Sequence, residues 1–340
     1  MLANAKVTTP DGETDKAAGW HAHGLEFDTS LNSSFSREIP SLQLAIDSTS
    51  LGAFKECPRK YFYTIVCGYQ PRLQSVHLTF GLLIHSGVER YHKLIASGVN
   101  HEEALRAVVK DALRATWDSK LERPWQSESP EKNRLSLIRA LVWYLDRFRD
   151  DALKLVHSTD GKPLVELSYK YDSKYRTHTG EAFLLCGHLD RIVETSQNRY
   201  IADVKTTTHA LAPRYFAQFD PDNQFSGYTL AGKTVFGQPV KGIIVDAMQI
   251  GAQFVRFQRH LVSRDDAKLD EWFSDLGRWL ASLEECASEF HWPMNDKSCG
   301  NYGGCPFREV CAASPNSRPR MLEAGFRHRR WDPAVARGDI

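Results

Sequence analysis

Residues 187–205 read GHLDRIVETSQNRYIADVK, and they hold two carboxylates and an amine at a spacing suited to phosphodiester chemistry. Alternate side chains of a strand share a face, so Asp203 and Lys205 point one way and Val204 the other. A turn near Ser196–Asn198 would bring Asp190, on a preceding strand, beside Asp203. Carboxylates held together repel unless a cation or a proton intervenes. Magnesium suits such a pair, because it prefers hard oxygen ligands and keeps several waters. Lys205, one pleat beyond Asp203, is placed to orient or help deprotonate a water, or to oppose charge on a phosphate. An ordinary hairpin with solvated charges uses the same residues. Asp-x-Lys alone discriminates nothing, since it recurs at Asp118/Lys120, Asp160/Lys162, Asp172/Lys174 and Asp266/Lys268. Only Asp203/Lys205 lies inside an apolar strand that follows another strand carrying an aspartate.

Other groups could join this pair. FGLLIHSGVERYH sets His85 and Glu89 four residues apart on one helix face. NQFSGYTLAGK sets Gln224 and Tyr228 at the same spacing. Glu166, on the strand before Asp190, is either a further carboxylate of the site or half of a structural ion pair. CPRKYFY holds Cys57, and CGNYGGCPFREVC holds Cys299, Cys305 and Cys311 with five residues in each gap. Thiolates at such positions suit zinc or an iron–sulfur cluster; reduced structural cysteines are the plain alternative. Cys67 and Cys186 sit among apolar residues and read as core thiols. Cys286 is a spare ligand candidate.

The elements that must position these groups follow from periodicity. Helices are expected from about Leu51, from Leu78, across 101–121, from about Glu131 to His157, from Arg214 to about Phe236, and across 264–290. Strands are expected at 163–172, 182–194, 199–207, 240–250 and 252–262. This order predicts an α/β fold with a mixed central sheet flanked by helices. The expected organisation is a poorly ordered segment 1–40, a helical portion 41–160 carrying Cys57 and His85, a core 161–312, and a basic tail 313–340.

Taken in order, these motifs resemble the RecB-type branch of the PD-(D/E)XK nuclease superfamily. The iron–sulfur members are closest in pattern, including the AddB nuclease module and the exonucleases of CRISPR adaptation. His85, Gly187 with Asp190, Asp203 with Lys205, and Gln224 with Tyr228 carry the likeness, which runs from about Ser48 to Cys311. It implies a restriction-endonuclease-like core in which His85, Asp190, Asp203 and the carbonyl of Val204 hold Mg2+ or Mn2+. Lys205 then handles the attacking water, and Gln224 and Tyr228 contact DNA or steady Lys205. It also implies Cys57 as the fourth ligand of a [4Fe–4S] cluster, or of zinc, that clasps the C-terminus. The family's usual gap between its second and third cysteines is two residues, so the five found here depart from it.

The implied activity is metal-dependent exonucleolytic cleavage of DNA, on single strands or ends, in recombination, repair or DNA processing. Alternatives are a flap or branch endonuclease and a non-catalytic DNA-end binding subunit. Arg59, Lys60 and Tyr61, beside the first cysteine, are candidate DNA contacts through phosphate pairing and stacking. The arginine-rich tail binds DNA or a partner, or stays disordered. A net charge of +1 gives no global basic signature, so any DNA surface is local. No Walker-type loop is present, which leaves a free-standing enzyme or one working beside a helicase, recombinase or integrase. The 340-residue chain has no apolar run long enough for a bilayer and no secretory signal pattern, so a cytoplasmic protein without a disulfide framework is expected.

Overall fold

The computed structural model describes residues 34–72, 75–127, 129–158, 161–236 and 240–335, together with the short strands Lys6–Thr8 and Thr14–Asp15. The rest of the N-terminal segment expected to be poorly ordered lies outside the described residues.

Five strands make the centre of one mixed sheet. After the short β1 (Ala45–Ile46) come β2 (Val165–Arg176), β3 (Ala182–Glu194), β4 (Arg199–Thr207), β5 (Ile243–Ile250) and β6 (Val255–Val262). Their spatial order is β6-β5-β4-β3-β2. β4 and β5 run parallel, while β2/β3, β3/β4 and β5/β6 are antiparallel. Parallel neighbours need a crossover, usually a helix. Here it is α5 (Asn223–Phe236), the helix that carries Gln224 and Tyr228. The connection therefore lays both residues against β4.

Helices cover the sheet on both faces. α1 (Ser48–Glu56) begins at Asp47, whose carboxylate caps the Ser50 N–H. α2 (Val76–Ala96), α3 (His101–Ala115) and α4 (Arg134–Arg147) pack on one side, and α5 and α6 (Asp266–Ser288) on the other. β5 shows why both layers are needed. Its residues Ile243, Val245 and Ala247 join the core beneath α5 and α6, while Met248 and Ile250 join the core beneath α2 and α4. A strand buried on both faces has no polar alternation, and every residue of β5 is buried.

Three expectations are corrected in detail. The helix expected over 131–157 ends at Arg147, and Lys154–Leu155 pairs instead with Glu194 and Val193 of β3. The charged run after Phe148 leaves no apolar face for further helical turns. The helix expected over 214–236 is two, Pro213–Ala217 and α5. Pro221 lacks a donor and breaks the run, and Asp222 then caps α5 by accepting the Phe225 N–H at 2.9 Å. The described part of the basic tail, for which disorder was one expectation, carries regular structure. α7 (Arg318–Gly325) leads into Phe326–His328, which pairs with Tyr69–Pro71. The Arg330 guanidinium then lies 5.3 Å from the Phe35 ring centre, and the Trp331 indole donates to Asp47 at 3.2 Å. The described part of the tail thus folds back on the N-terminal portion.

Candidate active site

Asp190 and Asp203 face each other by register, because β3 and β4 pair at Arg191↔Ala202 and their next residues would be these two. The ladder stops there. Instead of a backbone bond, the Val204 N–H donates to the Asp190 carboxylate at 3.1 Å. The strands part at this point, and the gap holds the polar groups.

His85, from the middle of α2, meets the same carboxylate, with Nδ1 2.9 Å from Asp190 Oδ2. Glu166 is the third member of this cluster. Ligand atoms of His85, Glu166 and Asp190 all lie within 4.8 Å of one another. β2 and β3 pair at Val165↔Arg191 and Leu167↔Leu189, so Glu166 stands opposite Asp190. Its φ is +52°, a left-handed value that costs a side-chain-bearing residue on the order of 1–3 kcal/mol. Burial is nearly complete at 3% exposure. Glu89, one turn from His85, is taken by Lys93 at 2.7 Å.

Asp203 is not one of the three within that distance. It stands beside them, 1% exposed, with Lys205 Nζ 2.8 Å from Oδ2. The ion pair engages Oδ2 and leaves the buried Asp203 Oδ1 without a hydrogen-bond donor. Buried polar atoms are rarely left so, and a buried charge needs a partner. An unpartnered carboxylate oxygen near an imidazole and two more carboxylates fits a divalent cation with oxygen and nitrogen preference. Of the expected trio, His85 and Asp190 are in contact, and Asp203 stands outside the group of ligand atoms within 4.8 Å. Glu166 is closer to the centre than its sequence position indicates.

Lys205 bridges to the crossover helix. Its Nζ donates to Gln224 Oε1 at 2.8 Å, and Gln224 Nε2 donates to the Tyr228 hydroxyl at 2.9 Å. Tyr228 packs edge-on against Tyr169, whose ring crosses Gly187 on the paired strand. A Cβ at Gly187 would sit 2.5 Å from the Tyr169 hydroxyl, so only glycine admits that ring. The glycine of Gly-x-x-Asp thus supports the far end of the Lys205–Gln224–Tyr228 chain.

Charge divides the carboxylates. Burial pushes the Asp190 carboxyl up, but the His85 charge and hydrogen bond, Lys205 and the Val204 N–H reverse this and hold it below the ordinary range. For Asp203, burial and the charge of Asp190 outweigh Lys205, and its carboxyl is raised. Burial lowers His85, yet Asp190 and Asp203 raise it overall. Lys205 is likewise raised, because Asp203 and Asp190 more than offset burial. The site therefore favours positive charge, and a cation added there competes with protons.

Beneath it lies a network that sequence spacing did not reveal. Arg191, next to Asp190, is paired with Asp246 of β5. The Tyr144 hydroxyl donates to the same carboxylate at 2.6 Å, and Arg259 of β6 joins Asp246 to Asp151. Partners so far apart in sequence carry no local signal.

The cysteine segments lie near one another, but among the described residues no three of the thiols come within 4.8 Å of one another. The Asn295 N–H donates to Cys57 Sγ at 3.3 Å, the Cys305 N–H to the Cys299 carbonyl at 2.9 Å, and Arg318 to the Cys311 carbonyl at 3.0 Å. Burial raises the Cys305 thiol, with smaller upward contributions from Cys299 and Cys57. Burial raises Cys311 too, where Cys305 and Cys57 contribute.

The DNA contacts expected beside Cys57 need revision. Tyr61 is fully buried, donates to Gln43 at 3.0 Å and packs on Phe54 and Trp292, so its ring is unavailable for stacking. Arg59 donates to the Trp292 carbonyl at 2.7 Å and Lys60 pairs with Glu56 at 2.6 Å, both half-buried. Tyr228 is 6% exposed, which places it behind Gln224 and away from solvent.

No curated protein matches the chain. Among solved structures, a candidate exonuclease from Eubacterium rectale is 12% identical with a TM-score of 0.43, covering 86% of this chain and 100% of its own. A Vibrio cholerae protein is 11% identical with a TM-score of 0.22, over 66% of this chain and 61% of its own. The description of the PD-(D/E)XK nuclease superfamily matches residues 48–312, which run from the first turn of α1 to just past Cys311. That span contains His85, Glu166, Asp190, Asp203, Lys205 and Gln224, and the chain belongs to the PD-(D/E)XK nuclease superfamily.

Proposed function

We propose that this nuclease is a Mg2+- or Mn2+-dependent DNA exonuclease of the RecB/AddB-like branch, acting on single strands or ends. The observation that carries the reading is the parting of β3 and β4 at Asp190 and Asp203, with the unpartnered Asp203 Oδ1 buried near the His85, Glu166 and Asp190 group. His85, Glu166, Asp190, Asp203 and the Val204 carbonyl are the residues to hold the ion. When bound, it opposes charge on the phosphate and lowers the pKa of water. Lys205 orients the attacking water and stands against the developing charge. Gln224 holds the Lys205 ammonium, and Tyr228 holds Gln224. Hydrolysis of this type leaves 5′-phosphate and 3′-hydroxyl ends, as the family likeness implies.

Cys57, Cys299, Cys305 and Cys311 are assigned to a [4Fe–4S] cluster that fastens the helical portion (41–160) to the core (161–312), with zinc as the alternative. Arg59 and Lys60, beside Cys57, are assigned to the DNA path together with Gln224. A helicase, recombinase or integrase is the kind of partner that would supply ends.

The test is degradation of end-labelled linear and circular single-stranded DNA with Mg2+ or Mn2+, by wild type, Asp203→Asn and Lys205→Ala. Linear DNA should be degraded from an end by wild type alone. Cleavage of circles would move the assignment to an endonuclease. Equal activity in all three proteins would remove the catalytic assignment.

A further inference from the structure

Beside its buried face α3 carries two parallel rows of side chains, one apolar and partly exposed, with Leu105 touching the core, and one cationic and exposed. Ala104, Val108 and Ala112 form its buried face, where their small size lets α2 and α4 approach. Leu105, Val109 and Leu113 form a second apolar row at four-residue spacing. With Val142 of α4 they floor an open groove of about 640 Å³, closed at one end by Trp117. Leu113 is 39% exposed and Trp117 48%. Arg106, Lys110 and Arg114 run along the same groove one position further on. Arg114 reaches only Asp111, at 4.0 Å, and among the described residues Arg106 and Lys110 have no ion pair. The end wall is firmly built, since Arg134 donates to the Thr116 hydroxyl at 3.0 Å and the Leu113 carbonyl at 2.9 Å beneath the Trp117 ring.

We propose that this groove docks an acidic amphipathic helix of a partner protein. The floor is an aliphatic stripe roughly 12 Å long, close to the roughly 10 Å spanned by residues i, i+4 and i+7 on an incoming helix. The cationic row calls for carboxylates flanking those anchors, which fixes orientation and speeds encounter. A second copy of this chain fits poorly, because no acidic residue lines the groove and a two-fold pairing would bring none. Nucleic acid also fits poorly, since the floor offers one aromatic ring for stacking. The groove lies on the side of α3 away from the core, so the proposal is independent of the nuclease assignment.

The experiment uses the full chain and a fluorescein-labelled synthetic helix of about 18 residues with leucines on one face and glutamates beside them. A twin peptide carries lysine for every glutamate, and an oligothymidylate is the third probe. Fluorescence anisotropy should show the acidic peptide binding at least about tenfold tighter than its twin. Val109→Glu and Arg106→Glu/Lys110→Glu should each abolish that difference, with melting temperature and nuclease activity unchanged. Equal binding of both peptides, or of neither, overturns the proposal. So does displacement of the peptide by oligothymidylate, or a concentration-dependent dimer of wild type that Val109→Glu dissolves.

Discussion

The Asp190 carboxylate accepts the backbone N–H of Val204 at 3.1 Å, and Val204 is the residue between Asp203 and Lys205. One carboxylate thus ties the geometry of both motifs, because it replaces the ladder bond that the parted strands cannot make. Asp190→Ala leaves that N–H buried and unpaired, at a cost of about 1–3 kcal/mol. Asp190→Asn retains an oxygen acceptor and should stay within about 1 kcal/mol of wild type. Both should lose at least about 100-fold in nuclease activity. Denaturant unfolding read beside activity separates the roles; equal stability of the two variants would show that the Val204 contact carries no weight.

Asp203 should behave oppositely. Burial and the Asp190 charge oppose its ionisation and Lys205 only partly offsets them, so ionising it without a metal is unfavourable. Asp203→Asn is expected to raise the melting temperature of metal-free protein while abolishing cleavage. Wild type should gain about 2–3 kcal/mol at Mg2+ well above its dissociation constant, and the variant little. A lower melting point for Asp203→Asn in EDTA, or an undiminished Mg2+ shift, would count against the site.

Lys205, Gln224 and Tyr228 form a chain, so their effects should not add. Gln224→Ala and Tyr228→Phe are each expected to lower kcat by roughly 10- to 100-fold, with Gln224→Ala the larger. The double variant should match Gln224→Ala alone, because Tyr228 acts through Gln224. Multiplying effects would mean that Tyr228 has a separate role.

These contacts differ in how far sequence pattern reaches them. Asp203 and Lys205 were readable because strand alternation fixes side-chain direction, and β4 is apolar enough to be recognised. Gln224 and Tyr228 were readable because helical spacing puts them on one face, and a parallel β4/β5 pair demands the crossover that brings them near. Glu166 was only half readable: its register opposite Asp190 depends on pairing over a long hairpin, and its positive φ leaves no mark on composition. Arg191 with Asp246 was not readable, since a buried ion pair between distant residues has no periodicity. The Phe326–His328 strand escaped for a different reason. Three residues whose pairing partner lies near position 70 give no periodic run to detect.

Glu166 should be separable from the other carboxylates by metal titration. Glu166→Gln keeps size and hydrogen bonding but removes the charge beside Asp190 and His85. The Mn2+ concentration for half-maximal cleavage should rise about tenfold or more, with kcat at saturating metal much less affected. An unchanged metal response would leave Glu166 with a structural role only.

The cysteine assignment has a direct readout. Protein purified without oxygen should be brown and contain about four irons per chain, as a four-thiolate cubane requires. Cys57→Ser should lose most of the iron and lower the melting temperature, because Cys57 belongs to the helical portion and Cys299 to the end of the core. Colourless wild-type protein with about one zinc would replace the cluster by zinc. Protein without either metal would leave the four as structural thiols.

His92 supplies a pH dependence away from the site. It lies on α2 against Tyr144, Phe148 and Arg191. Burial, reinforced by the Arg191 charge and only partly opposed by Asp151, pushes its pKa down from 6.5 to about 3. The unfolded chain then binds the proton more readily than the folded one throughout that interval. The stability contributed by the neutral imidazole is fully present above about pH 6.5 and drains away as pH falls toward 3. Other carboxylates titrate in the same range, so the informative quantity is a difference. His92→Gln lacks the titration, and its stability relative to wild type should improve by on the order of 1–3 kcal/mol between pH 7.5 and pH 4.5. Denaturant unfolding of both proteins across that range measures it. Curves that stay parallel would show that His92 takes up its proton without opening the fold, and that solvent reaches the ring past Tyr144 and Arg191.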